Sequence, residues 1–215
     1  MYLSSSVAGV TSVLEVHLTV EGCGPSALRE ILDELATDAK VTHIALGETG
    51  NDDTSDQLMV TWHQPGPLAS AEVRSAELGD QLERRHVRAV RLKVEVTADD
   101  LGHGHGQYLE HHVLISLPIE DVDRLRNAAG VHDGRVSMRA RRRAATHEQR
   151  FVTQRWWQPD RLAEATTTFD AMVDDLAANN FNVEQRITER VIHDSNLELD
   201  AGWLDRPTPS MEAPA

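Results

Sequence analysis

The sequence predicts an α+β protein built from two tandem β-α-β-β-α-β units, each an antiparallel sheet with its helices on one face, related by a pseudo-two-fold duplication. Three observations carry this. First, the chain repeats itself. Leu14-Glu15-Val16-His17-Leu18-Thr19-Val20 parallels Leu109-Glu110-His111-His112-Val113-Leu114-Ile115. Gln57-Leu58-Met59-Val60-Thr61 parallels Gln149-Arg150-Phe151-Val152-Thr153, and His63-Gln64-Pro65-Gly66 parallels Trp157-Gln158-Pro159-Asp160. The offsets are 95, 92 and 94 residues, in one order along the chain, and a fixed period of self-similarity marks duplicated architecture. Second, apolar residues alternate in short runs and recur at helical spacing in longer ones, in the same succession in both halves. Third, 215 residues leave about 85–100 for each half, enough for a small core in each.

The elements follow in order. Residues 13–20 alternate Val16, Leu18 and Val20 against Glu15, His17 and Thr19, as a half-buried strand does. Gly22-Cys23-Gly24-Pro25 turns the chain, Ser26 is the expected helix cap, and Leu28, Ile31, Leu32 and Leu35 form the apolar stripe of a helix over 27–36. Residues 41–46 and 58–62 are strands flanking the polar hairpin 47–56. Val73, Ala76, Leu78 and Leu82 place a second helix over 69–85, and 87–96 is the fourth strand, with Arg91, Lys93 and Glu95 alternating to one side. The second unit repeats the plan: strand 110–117, helix 120–129, hairpin 135–156, helix 161–178, strand 183–191. The expected domains are residues 1–98, a Gly/His linker at 99–108, residues 109–194, and a docking segment with a disordered tail at 195–215.

This succession resembles a tandem ferredoxin-like fold over residues 13–194. The resemblance is one of architecture, which hosts many unrelated functions. It leaves one face of each sheet open. By alternation that face presents Glu15, His17, Thr19, Met59, Thr61 and His63 in the first unit, and Glu110, His112, Leu114, Phe151, Thr153 and Arg155 in the second. The two faces are expected either to stack or to wall a cleft.

Composition restricts the function. The net charge is −14 with 40% hydrophobic residues, which opposes general adhesion to nucleic acid or anionic membrane. No apolar run reaches the ~18 residues of a membrane span, the first residues lack a basic leader, and a lone Cys23 forms no internal disulfide. A cytoplasmic location without membrane association is the expectation. Within this acidic chain one basic stretch stands out: Arg135, Arg139, Arg141, Arg142, Arg143, Arg150 and Arg155, with Glu148 the single acid among them. Clustered guanidinium groups call for anions. Phe151, Trp156 and Trp157 lie beside them, and arginine with aromatics suits a phosphate and a stacked base. Phe151 stands where the third strand of an RNA-recognition motif presents a ring. The glycines and second ring of that motif are absent, and His112 occupies the first-strand position.

The leading functional reading is therefore a non-catalytic binding or assembly module. Its anion-binding surface would be Arg139, Arg141, Arg142, Arg143, Arg150, Phe151 and Arg155, and its partner an acidic protein or the phosphate of a nucleotide or RNA. Hairpin 47–56 carries acids and no base, so opposite-charge hairpins also suggest homo-oligomer contacts. The alternative is an enzyme. His17-Leu18-Thr19 resembles the His-x-Thr of two-histidine phosphoesterases, in which one histidine is base, the other acid, and hydroxyls hold the phosphate. That resemblance implies His17 and His112 as the pair and Thr19 as the phosphate holder. Leu114 stands where the second hydroxyl belongs. Of the 11 histidines, His103, His105, His111 and His112 have metal-ligand chemistry, but strand alternation sends His111 and His112 to opposite faces. No metal or other cofactor is expected.

Overall fold

The computed structural model describes residues 12–45, 56–98, 106–138, 140–201 and 203–204. Unit one comprises β1 (Val13–Glu21), α1 (Pro25–Glu34), β2 (Lys40–Ala45), β3 (Asp56–Pro65), α2 (Leu68–Glu83) and β4 (Arg88–Thr97). Unit two comprises β5 (Tyr108–Pro118), α3 (Val122–Gly130), β6 (Arg135–Val136), β7 (Arg142–Arg143), β8 (His147–Trp156), α4 (Leu162–Ala178) and β9 (Asn182–Asp194). Each is a ferredoxin-like βαββαβ unit, the second with its hairpin strand broken into β6 and β7.

The units neither stack face to face nor stand as opposed walls. They join edge to edge in one sheet of order β2-β3-β1-β4-β9-β5-β8-β6, with β7 also on β8. The seam is the antiparallel pair β4·β9, running from Lys93 opposite Asp194 to Thr97 opposite Glu189. All four helices cover one side. In unit one, Leu28 and Leu32 of α1 and Ala71, Leu78 and Leu82 of α2 bury Val16, Leu18 and Val60 of the sheet. In unit two, Leu125 and Ala129 of α3 and Phe169, Met172 and Leu176 of α4 bury Val113, Ile115 and Val152. Truncating one such leucine costs about 2–5 kcal/mol.

Helix ends are governed by backbone rather than side chains. The expected Ser26 cap is absent; Gly24 caps α1 and Pro25 takes its first position, where a missing N–H costs nothing. At their C-termini all four helices close alike. Ala36, His86, Asp133 and Asn180 take positive φ of 50°, 62°, 56° and 61°. The next amide then bonds back five residues: Thr37 to Leu32, Val87 to Leu82, Gly134 to Ala129 and Phe181 to Leu176. This is the Schellman motif four times over, and it turns each chain directly back toward the sheet.

The described residues that follow β9 lie against the body. Ser195 and Asn196 prolong the seam, with the Ser195 amide donating to the Leu92 carbonyl and Asn196 Nδ2 to that of Val90. A 3-10 turn, Leu197–Asp200, follows. The segment crosses the open face, not the helices. No helix among the described residues is long and apolar enough to cross a membrane.

A duplicated polar groove on the open face

Both open faces lie on the same side of the joined sheet and border one groove of about 540 Å³. Its floor is a constellation present twice. In unit one, strand register sets His17 opposite Thr61 on β3, and Glu15 between His63 and Glu95. In unit two it sets His112 opposite Thr153 on β8, and Glu110 between Arg155 and Glu189. The bonds repeat accordingly. His17 Nδ1 lies 2.9 Å from Thr61 Oγ1 and its Nε2 2.8 Å from Glu95. His112 Nδ1 lies 2.9 Å from Thr153 Oγ1 and its Nε2 3.2 Å from Glu189 and 3.5 Å from Glu110. All four ring nitrogens thus face protein partners.

Lys93 ties the copies together. Its Nζ lies 2.6 Å from both Glu95 and Glu110, across the seam. A line His17–Glu95–Lys93–Glu110–His112 therefore runs along the floor. From Glu110 it continues to Arg155 (2.6 Å), Asp200 (2.5 Å), Arg91 (2.8 Å) and Asp194 (2.5 Å), which also accepts from the Tyr108 hydroxyl at 2.5 Å. Asp200, from the C-terminal turn, thus sits between Arg91 and Arg155 and accepts a further bond from Gln57 Nε2.

The titration behaviour follows from this pairing. Burial alone would raise the Glu95 carboxyl, but Lys93 and the His17 hydrogen bond outweigh it and hold it at about 2. Glu110 is likewise buried, yet Lys93 and Arg155 keep it well below the carboxylate range. For His112, burial disfavours charge, while the bonds to Glu110 and Glu189 prevail and lift it to about 10. Its neighbour His111 points under the helices, stacked 4.6 Å from Phe169. Burial and the nearby His112 charge push His111 down to about 4.

The sequence-predicted residues divide. His17, Thr19, His112, Phe151 and Arg155 all border the groove. Between the two imidazoles, however, stand Glu95, Lys93 and Glu110, so a phosphate held there would face two carboxylates. The arginine stretch is dispersed. Arg155 has 3% of its side chain exposed and is bound to Glu110 and Asp200; its guanidinium also lies 4.3 Å from the Tyr108 ring and 5.3 Å from that of Trp157. Arg150 is turned inward to Glu148 and to the carbonyls of Ser137 and Met138. Arg143 lies 3.5 Å from Glu148. Arg141 and Arg142 stay exposed without an ion-pair partner among the described residues, and Arg141 sits 5.6 Å over the Phe151 ring at the groove's rim. Arg139, the linker histidines His103 and His105, and hairpin residues 47–55 lie outside the described residues. No group of histidines, cysteine and acids among the described residues is arranged to hold a metal ion.

Sequence reasoning missed Arg91, Lys93, Glu95, Glu189, Asp194 and Asp200 as site residues. Their signal was present for β4, where Arg-x-Lys-x-Glu alternates to the open side.

No protein-family model matches the sequence, and no curated protein matches it either. Among solved structures, the acetolactate synthase small subunit from Thermotoga maritima is similar at 15% identity and TM-score 0.30, over 84% of this chain and 95% of that one. The regulatory subunit of aspartate kinase from Thermus flavus is similar at 13% and 0.30, over 77% and 94%. The same subunit from Thermus thermophilus gives 14% and 0.29, over 78% and 92%.

Proposed function

We propose that this chain is a non-catalytic binding module whose ligand lies in the groove, with an anionic group of the ligand held by Arg141 and Arg142 at its rim. The observation that carries this reading is the state of the floor: every imidazole nitrogen of His17 and His112 is already met by a threonine or a carboxylate. Among the described residues, neither imidazole of this pair keeps a nitrogen free of a protein partner for proton exchange with a ligand. Of the described arginines of the stretch that have no ion pair, Arg141 and Arg142 are the two that line the recess beside the groove, and Arg141 with Phe151 offers charge beside an aromatic face. A smaller recess of about 280 Å³ lies beside both arginines, room for a phosphate or carboxylate. The domain reading follows the same lines, residues 1–98 and 109–194 each supplying half of the groove.

The test is the thermal melt against inorganic phosphate, linear and cyclic nucleotides, short RNA and an acidic peptide. A ligand at 100 times its Kd adds about 2.7 kcal/mol, a rise of about 5–10 °C at this chain length. The rise is expected for at least one anion and is expected to disappear in Arg141→Ala/Arg142→Ala. Absence of any rise, or a rise indifferent to that double substitution, overturns the reading. Phosphodiester turnover abolished by His17→Ala would instead establish the two-histidine enzyme.

A further inference from the structure

Asp200 fills a place built for a carboxylate. Its Oδ1 accepts from Arg91 Nη1 at 2.9 Å and from Gln57 Nε2 at 3.0 Å. Its Oδ2 accepts from Arg91 Nη2 at 2.8 Å and from Arg155 Nη2 at 2.5 Å. One guanidinium thus grips both oxygens, the paired geometry that arginine uses to recognise a carboxylate. The donors all come from strands: Gln57 from β3, Arg91 from β4 and Arg155 from β8. The carboxylate alone comes from outside the sheet, on the 3-10 turn Leu197–Asp200. All four residues border the groove.

That turn is held by its carboxylate more than by packing. Beyond Asn196 only Asp200 and Leu204 are buried among the described residues, while Leu197, Glu198 and Ala201 are exposed. Lifting the turn strands neither arginine. Arg91 keeps both oxygens of Asp194, and Arg155 keeps Glu110, and these two acids belong to β9 and β5. What departs is one negative charge and two acceptor oxygens. A ligand carboxylate restores both. Phosphate brings more negative charge beside Asp194 and Glu110, and an uncharged group brings none.

We propose that Arg91, Arg155 and Gln57 form a binding site for a small-molecule carboxylate on the groove floor, and that the turn Leu197–Asp200 is a strap whose Asp200 occupies this site until such a ligand displaces it. The site uses neither Arg141 nor Arg142, so it goes beyond the anion placed at those residues.

Titration calorimetry of the full chain with acetate, with phosphate as the competing anion, tests the site. Asp200→Ala vacates it and is expected to bind acetate at millimolar concentration, and phosphate more weakly. In the parent the tethered Asp200 competes at an effective concentration of about millimolar or above, so acetate is expected to bind about tenfold more weakly than in Asp200→Ala. Adding Gln57→Leu to Asp200→Ala removes one donor and is expected to weaken acetate about tenfold. Arg141→Ala/Arg142→Ala is expected to bind acetate as the parent does. Chymotrypsin cleavage after Trp203 in the parent reads the strap itself, whether or not Asp200→Ala folds. Acetate is expected to speed it and chloride of equal ionic strength to leave it unchanged, because ligand and strap exclude each other. The proposal is overturned if acetate does not speed this cleavage, if a folded Asp200→Ala binds acetate no better than the parent or phosphate more tightly, or if acetate binding is lost in Arg141→Ala/Arg142→Ala.

Discussion

Lys93 is the single cation between two buried carboxylates, and replacing it by methionine tests the whole floor. Glu95 sits at about 2 against an ordinary value of 4.5. At 1.36 kcal/mol per pH unit this difference corresponds to about 3 kcal/mol of stabilisation of the ionised, folded form. Lys93 is its largest favourable contributor. Removing one partner from a buried pair costs about 3–5 kcal/mol because the remaining charge is stranded. Lys93→Met is therefore expected to lose about 3 kcal/mol at pH 7, or about 6–12 °C in Tm. The sign of the pH dependence is fixed. With its folded value depressed, Glu95 stabilises the parent in full above pH 4.5 and loses that contribution as pH falls from 4.5 through 2. In the variant the stranded carboxyl takes up a proton at higher pH, so the deficit narrows between pH 7 and pH 4. Urea denaturation of both proteins at the two pH values measures it. A deficit below about 1 kcal/mol at pH 7, or one of equal size at pH 4, would refute the argument that Lys93 neutralises the floor.

Three further outcomes are expected. Across pH 6–8 the ring NMR signals of His111 and His112 both stay flat, His112 charged and His111 neutral. Stability then declines as pH rises from 6.5 through about 10, where His112 is released, and as pH falls from 6.5 towards about 4, where His111 resists the proton that the unfolded chain accepts. Asp200→Asn weakens the bonds to Arg91 and Arg155, costs about 1–3 kcal/mol, and exposes the C-terminal segment to chymotrypsin at Trp203; unchanged proteolysis would show that Asp200 does not anchor it. Ala36→Gly relieves an alanine at φ of 50° and raises the urea-derived stability by about 1 kcal/mol.

The open face was legible from sequence because two-residue alternation leaves only one choice once Val16, Leu18 and Val60 are assigned to the core. That choice placed Glu15, His17, Thr19, Thr61, Glu110, His112 and Thr153 correctly together. The pairing between units was not legible. Nothing local in β4 says that Lys93 will meet Glu110, and Asp200 reaches Arg91 from 109 residues away. The arginine stretch misled for a related reason. Counting charge along the chain treats every guanidinium as equivalent, whereas strand register gave Arg155 to Glu110 and a short crossing on one strand gave Arg150 to Glu148, leaving Arg141 at the rim of the groove and Arg142 beside the smaller recess. The Ser26 cap failed because Pro25 already suits the first helical position, so the helix begins one residue before that serine.

The seam between β4 and β9 has a consequence for the order of folding. Arg91 and Asp194 are 103 residues apart, so closing the seam requires contacts of very long range, while each unit's own strands pair over shorter loops. Contacts of long range form slowly because their loop-closure entropy must be met first. Each unit is thus expected to collapse first with the outer edge of its half-sheet unpaired, that of β4 in one and of β9 in the other. Such naked strands pair readily with other chains. Refolding yield should therefore fall with protein concentration, and dilution should favour the joining of the two halves within one molecule.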